Sequence, residues 1–159
     1  MWGNLTQLET AAEHDIQVRN ETRNRQLVQS SNGMATIALI AHDGKKVEMV
    51  EFAKKHRDRL AQFDLIATGS TGRIVSISTG LEIQTLRHGP GGGDVQIASQ
   101  VLEGHVHAVF FFVEPMEAHP HDPDIQTLMR ICNIENVPLA TNPATADLVV
   151  RGFGETAQI

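Results

Sequence analysis

Near-continuous apolar runs at residues 35–41 (ATIALIA), 65–67 and 108–113 (AVFFFV) set the tightest limit on what this chain can fold into. Each has strand length and lacks the strict apolar–polar alternation of a sheet with one wet face, so each reads as a strand buried on both faces. Such a strand needs covering layers, and the stretches between the runs supply them. Residues 43–56 carry Val47, Val50, Phe52 and Ala53 at helical spacing with charges between, and 71–80 and 94–103 read as helices, the latter ended by Gly104. Asp122-Pro123 and Asn142-Pro143 each pair a capping side chain with a proline suited to the first helical position, where no N–H is required. Residues 83–86 read as a weaker third strand, 137–140 as a fifth, and Gly152 as the stop of a last helix over 142–150. Five short strands alternating with five helices through short connections describe an α/β domain: a five-stranded, mainly parallel sheet sandwiched by helices.

A chain of 159 residues supports one sizeable core. Residues 1–32 are polar and read as a mobile extension or weak helix, 33–152 as the folded domain and 153–159 as a short tail. The net charge of −6 has the wrong sign for a protein that neutralises nucleic-acid phosphates, and 4% aromatic residues offer no stacking platform. Cys132 alone excludes an internal disulfide and a multi-cysteine zinc site. No apolar run reaches the roughly 18 residues of a membrane span, and no basic-then-apolar leader opens the chain. A cytoplasmic protein without membrane or nucleic-acid partners is the expectation.

In a parallel sheet ligands bind outside the carboxyl ends of the strands, and the unusual residues of this chain fall in the loops that leave those ends. They are His42, Asp43, Lys45 and Lys46 after the first strand, the run Thr68-Gly69-Ser70-Thr71-Gly72 after the second, and His88-Gly89-Pro90-Gly91-Gly92-Gly93-Asp94 after the third. Glu114 and His119-Pro120-His121-Asp122-Pro123-Asp124 follow the fourth. The Thr68 run joins hydroxyls, glycines and free N–H groups at a helix start, the parts of an anion cradle. It is equally the composition of a plain structural turn. Lys46 suits the same anion. Asp94, after three glycines, is a candidate general base or a helix cap. His121 suits proton transfer or polarisation of a substrate oxygen, and Asp124 suits an orienting or second basic role, unless both only cap their helix. His105-Val106-His107 has the look of a metal pair, but it precedes the fourth strand, at the opposite end from the other loops. No metal site and no cofactor are expected.

Five motifs in register, IALIAHD at 37–43, ATGSTG at 67–72, GPGGGD at 89–94, PHDPD at 120–124 and ATNPATAD at 140–147, resemble methylglyoxal synthases over residues 35–150. The resemblance implies a flavodoxin-like or Rossmann-like fold, shared with regulatory domains of carbamoyl phosphate synthetase. It implies a cofactor-free lyase converting dihydroxyacetone phosphate to methylglyoxal and inorganic phosphate. Asp94 matches the catalytic carboxylate, His121 the histidine that handles the enediolate oxygens, and Asp124 an accompanying catalytic Asp. His42, Asp43, Lys46, Thr68, Gly69, Ser70, Thr71, His88 and Gly89 match substrate and phosphate contacts. A homohexamer inhibited by phosphate is also implied. Ser70 stands where Thr is common, His88 where Ser is usual, Gly91 where a larger residue is usual, and Glu114 where Asp is usual. Of these, His88 and Gly91 imply a more mobile glycine loop, Ser70 keeps the hydroxyl, and Glu114 brings a longer arm. Family members continue past the position of Ile159 into a segment with an Arg that reaches a neighbour's phosphate site, a role for which Arg151 is the candidate here. A noncatalytic phosphometabolite-binding module and a phosphosugar isomerase are the rival readings.

Overall fold

All five strands are parallel and hydrogen-bonded in the order β3-β2-β1-β4-β5: β1 (Thr36–Ala41), β2 (Asp64–Ala67), β3 (Gln84–Thr85), β4 (Ala108–Phe112) and β5 (Leu139–Ala140). This computed structural model describes residues 7, 10–15, 18, 34–118 and 122–153. The helices are α1 (Lys46–Lys55), α2 (Arg57–Leu60), α3 (Gly69–Thr79), α4 (Gly93–Leu102), α5 (Asp122–Ile134) and α6 (Pro143–Gly152), with 3-10 turns at Asp43–Lys45 and Gly89–Gly91. The chain forms two units, Met1–Met34 and Ala35–Ile159. In the first, residues 7, 10–15 and 18 are helical; the rest of the expected 1–32 extension lies outside the described residues, as does the tail beyond Phe153.

The period-two geometry of the strands divides the apolar residues between two cores. Ile37, Leu39, Phe110 and Phe112 pack with Met49 and Phe52 of α1, Val75 of α3 and Val150 of α6. Ala38, Ile40 and Phe111 pack with Ile97 of α4 and Leu128 of α5. Phe110, Phe111 and Phe112 are wholly buried, and at about 1.5–3 kcal/mol for each such side chain β4 is a principal source of cohesion on both faces. Phe52 meets Phe110 and Phe112 edge-on, with ring centroids 5.4 and 5.6 Å apart.

Several sequence expectations need correction. Val47 is 69% exposed, and Met49 takes the buried position. Met49, Phe52 and Ala53 share one face at the i, i+3, i+4 spacing, while Val47 lies about 200° round the helix from Met49. The long helix expected over 43–56 is a 3-10 turn followed by α1, and α2 comes after it; the spacing did not show this break at His56. Gly80 and Gly104 end α3 and α4 at φ 74° and 79°. Gly152, by contrast, stays helical, and Phe153 N–H continues the ladder to the Val149 carbonyl at 2.9 Å. Asn142 caps α6 as its sequence predicts, its Oδ1 accepting from Thr145 N at 2.9 Å. Asp122 is a helical residue, so Asp122 and Asp124 both lie in the first turn of α5.

Candidate active site

The strand order reverses beside β1, between β1 and β4, and this is where a doubly wound sheet opens a crevice at its carboxyl edge. His42 leaves β1 there and Glu114 follows β4; the backbone N–H of Glu114 donates to His42 Nδ1 at 3.0 Å. With Nδ1 as acceptor, the neutral ring carries its proton on Nε2. The ring is buried and meets Phe111 edge-on at 5.1 Å. Gly44 lets the Glu114 carboxylate approach, since a Cβ at that position would lie 3.2 Å from Glu114 Oε2.

Next to this crevice, the Thr68 run is the beginning of α3 itself, with Thr68 as the cap residue in extended conformation. The helix therefore starts earlier than its apolar spacing indicates. Of the four N–H groups from the cap onward, which no helix can satisfy internally, Thr68 donates to the Leu39 carbonyl at 3.3 Å and Gly69 to the Arg87 carbonyl at 3.1 Å. The N–H groups of Ser70 and Thr71 have no backbone partner among the described residues. Two aligned donors at the positive end of a helix suit an anion. The turn is anchored from below. Thr71 Oγ1 accepts from Ala41 N at 3.2 Å and from the Thr68 hydroxyl at 3.2 Å, tying the turn to the end of β1. The glycines are steric requirements: a Cβ on Gly69 would lie 2.9 Å from the Leu86 carbonyl oxygen, and one on Gly72 2.5 Å from Thr85 Cγ2.

Two consecutive lysines divide their work. Lys45 bonds Glu48 at 2.9 Å, and that carboxylate raises its pKa above the ordinary lysine value. Lys46 turns inward, donating to the Ala41 carbonyl at 2.9 Å and to Asp43 Oδ1 at 2.8 Å. A cavity of about 1370 Å³ is lined by His42, Asp43 and Lys46, by Thr68, Gly69 and Ser70, and by His88 and Gly89. The structure thus collects the loops after β1, β2 and β3 in one place. Thr71 is wholly buried beneath the turn.

Asp94 and Asp124 are not among the described residues lining this cavity. Asp94 is wholly buried in the first turn of α4, and its Oδ1 accepts from Val95 N at 2.9 Å. It is the second helical residue and not the cap, a position held by Gly92 at φ 98°. Its link to the turn is through Gly93, where a Cβ would lie 1.9 Å from the Arg87 carbonyl oxygen and 3.0 Å from Thr68 Cγ2. Asp124 is partly buried on α5, and His121 lies outside the described residues. The unusual His88 and Gly91 explain one another: a Cβ at position 91 would lie 2.8 Å from His88 Cε1, so the glycine makes room for the imidazole. His107 sits at the other end of the sheet, as its place before β4 requires, and its Nδ1 accepts from Thr36 N at 2.9 Å. Arg151 pairs with Asp147 on α6 at 3.0 Å.

Sequence reasoning missed Arg73 and Arg87, which also line the cavity. Arg73 was within reach, because it stands three residues after Ser70 on the same helical face. It also missed the buried His56, whose Nε2 lies 2.6 Å from Asp147 Oδ1. With Lys55 at 2.9 Å, this pairing lowers the Asp147 carboxyl from 3.8 to about 2. Among the described residues no helix is long and apolar enough to cross a membrane.

Comparison with known proteins places this geometry in context. The MGS-like domain family matches residues 48–141. A methylglyoxal synthase of Clostridium botulinum is 48% identical over 117 residues, covering 74% of this chain and 98% of its own length. An uncharacterized protein of Synechocystis is 51% identical over 122 residues; the match spans 77% of this chain but 28% of that protein. The crystal structure of methylglyoxal synthase from Elizabethkingia anophelis is similar at a TM-score of 0.70 and 42% identity, covering 74% of this chain and 77% of that one.

Proposed function

This chain belongs to the methylglyoxal synthase-like family, and we propose that it is a lyase converting dihydroxyacetone phosphate to methylglyoxal and inorganic phosphate. The observation that carries the reading is the anion cradle: the free N–H groups of Ser70 and Thr71 at a helix start, with Lys46 lining the same cavity and a wholly buried carboxylate, Asp94, one residue beyond the glycine that packs on Thr68. Methylglyoxal synthases at about half identity support it.

With the substrate phosphate on the turn, Asp94 takes a proton from the hydroxymethyl carbon and the electron pair moves onto the carbonyl oxygen. His121 handles the enediolate oxygens, and Asp124 accompanies it. As His121 carries the hydroxyl proton of the former hydroxymethyl carbon to the enediolate oxygen, that carbon becomes the aldehyde and electrons move toward the phosphate-bearing carbon. The C–O bond there breaks and phosphate leaves with the bonding pair. The enol of methylglyoxal then tautomerises to the product. Lys46 and the helix N–H groups hold the charge that grows on the departing phosphate. The buried His42, with its Nε2 proton, is a further donor at the crevice. The reading extends to a cytoplasmic, phosphate-inhibited homohexamer, whose contacts would cover apolar surface such as Val47 and Leu148, 69% and 73% exposed.

A coupled assay of phosphate and methylglyoxal from dihydroxyacetone phosphate, run with a chelator, tests the function. The two products should form in equal amounts. Asp94→Asn should lower turnover by about 10²–10⁴-fold while the circular dichroism spectrum is kept. Near-native turnover in that variant would remove Asp94 from the role of base. Isomerised triose phosphate without phosphate release would identify an isomerase, and ligand-dependent stabilisation without turnover a binding module.

A further inference from the structure

We propose that Arg73 and Arg87 form a second anion subsite beside the Thr68 turn, for the distal phosphate of a small bisphosphorylated metabolite whose first phosphate occupies the turn. Both line the cavity, and among the described lining residues Lys46 is the third formal cation and Asp43 the one formal anion. This local excess of positive charge occurs in a chain of net charge −6. Among the described residues neither guanidinium takes part in an ion pair. Arg57 and Arg59 bond backbone carbonyls and Arg151 pairs with Asp147, while Arg130 of α5 is not among the described residues that line the cavity.

The backbone carries Arg87 to the cavity on a fixed support. Its carbonyl accepts from Gly69 at 3.1 Å, and its N–H donates to Gln96 Oε1 at 2.9 Å. One residue thereby ties the anion turn to α4. Arg73 is placed by periodicity, three residues after Ser70, and Ile74 and Ile77 continue the same exposed stripe along the cavity wall. The cavity, about 1370 Å³, exceeds the roughly 300–1,000 Å³ usual for small-molecule sites. A triose monophosphate held at the turn offers no second anion to these two forks. Two guanidinium groups give paired, parallel donors that match phosphate oxygens bidentately, a geometry that a lysine does not reproduce. A bisphosphate spanning both subsites would exclude dihydroxyacetone phosphate and so act as a competitive effector.

The occupancy of the turn by the first phosphate rests on the function proposed above, and turnover of dihydroxyacetone phosphate by the wild type checks that part separately. The second subsite is tested by calorimetric titration of methylphosphonate, propane-1,3-bisphosphonate and butane-1,4-bisphosphonate into wild type and the double variant Arg73→Gln/Arg87→Gln. At least one bisphosphonate should bind wild type about tenfold or more tightly than methylphosphonate, a gain typical of an added charge-assisted pair. The double variant should lose that gain and keep its methylphosphonate affinity. A wild type that turns over substrate yet shows no gain overturns the second subsite and leaves the function standing. A gain that survives in the double variant overturns it as well. So does a changed sedimentation coefficient with bisphosphonate affinity intact, which would make the two arginines a contact with another copy of the chain.

Discussion

Thr71→Val exchanges a hydroxyl for a methyl of nearly the same size at a wholly buried position under the anion turn. The hydroxyl has one hydrogen and two lone pairs, and all three are in use. It accepts from Ala41 N and from the Thr68 hydroxyl, each at 3.2 Å, and faces the Ala41 carbonyl at 3.4 Å. In the valine variant that carbonyl keeps the Lys46 ammonium at 2.9 Å, whereas the buried Ala41 N–H and Thr68 hydroxyl lose this acceptor. An orphaned buried donor costs about 1–3 kcal/mol, and the bonds here are long, so a total of about 2–4 kcal/mol is expected. Thr71→Ser keeps the hydroxyl and removes one methyl, at about 0.5–1.5 kcal/mol. The order is therefore the reverse of what volume alone dictates. Urea unfolding followed by circular dichroism should show the midpoint of Thr71→Val falling by about 1–2 M with an unchanged slope, and that of Thr71→Ser falling less. A valine variant as stable as wild type, or more stable than the serine variant, would refute the claim that this hydroxyl ties the turn to β1.

Glycine positions give a contrasting pair. Gly93→Ala places a Cβ 1.9 Å from the Arg87 carbonyl oxygen and 3.0 Å from Thr68 Cγ2, and should cost about 3 kcal/mol or more while displacing Asp94, read as a lower melting temperature together with lost turnover. Gly152→Ala meets nothing within 4 Å inside α6 and should stabilise by about 0.5–1 kcal/mol in the same melt. The Asp147 cluster predicts an acid limb. Because the folded carboxyl is lowered from 3.8 to about 2 by Lys55 and His56, its contribution is complete above 3.8 and is lost as pH falls through about 2. Asp147→Asn should flatten stability across that interval in acid titrations, by a modest amount because the side chain is in contact with solvent.

What the sequence revealed, and what it concealed, follows from the range of the interactions involved. Strands β1 and β4 are legible because burial on both faces leaves an apolar run that nothing else explains, and the start of α6 is legible because Asn142 bonds within its own turn. Val47 misled because one apolar residue in a short window does not fix the phase of a helix, which is set by what the opposing sheet offers. The site shows the same division. The loops that leave strand ends can be read locally, but which loops become neighbours depends on strand order. With the order β3-β2-β1-β4-β5, the loops after β1, β2 and β3 are contiguous, and they build the cavity from His42, Lys46, the Thr68 turn and His88. The pairing of Ala67 with Thr85 brings Arg87 beside Gly69, a proximity across 18 positions of chain that no local pattern encodes. The loop after β4 lies across β1 from that cavity and touches it through the bond from Glu114 to His42. Asp124, further along the same segment, lies in the first turn of α5, which packs with α4 on one face of the sheet, so that the first turns holding Asp94 and Asp124 belong to neighbouring helices.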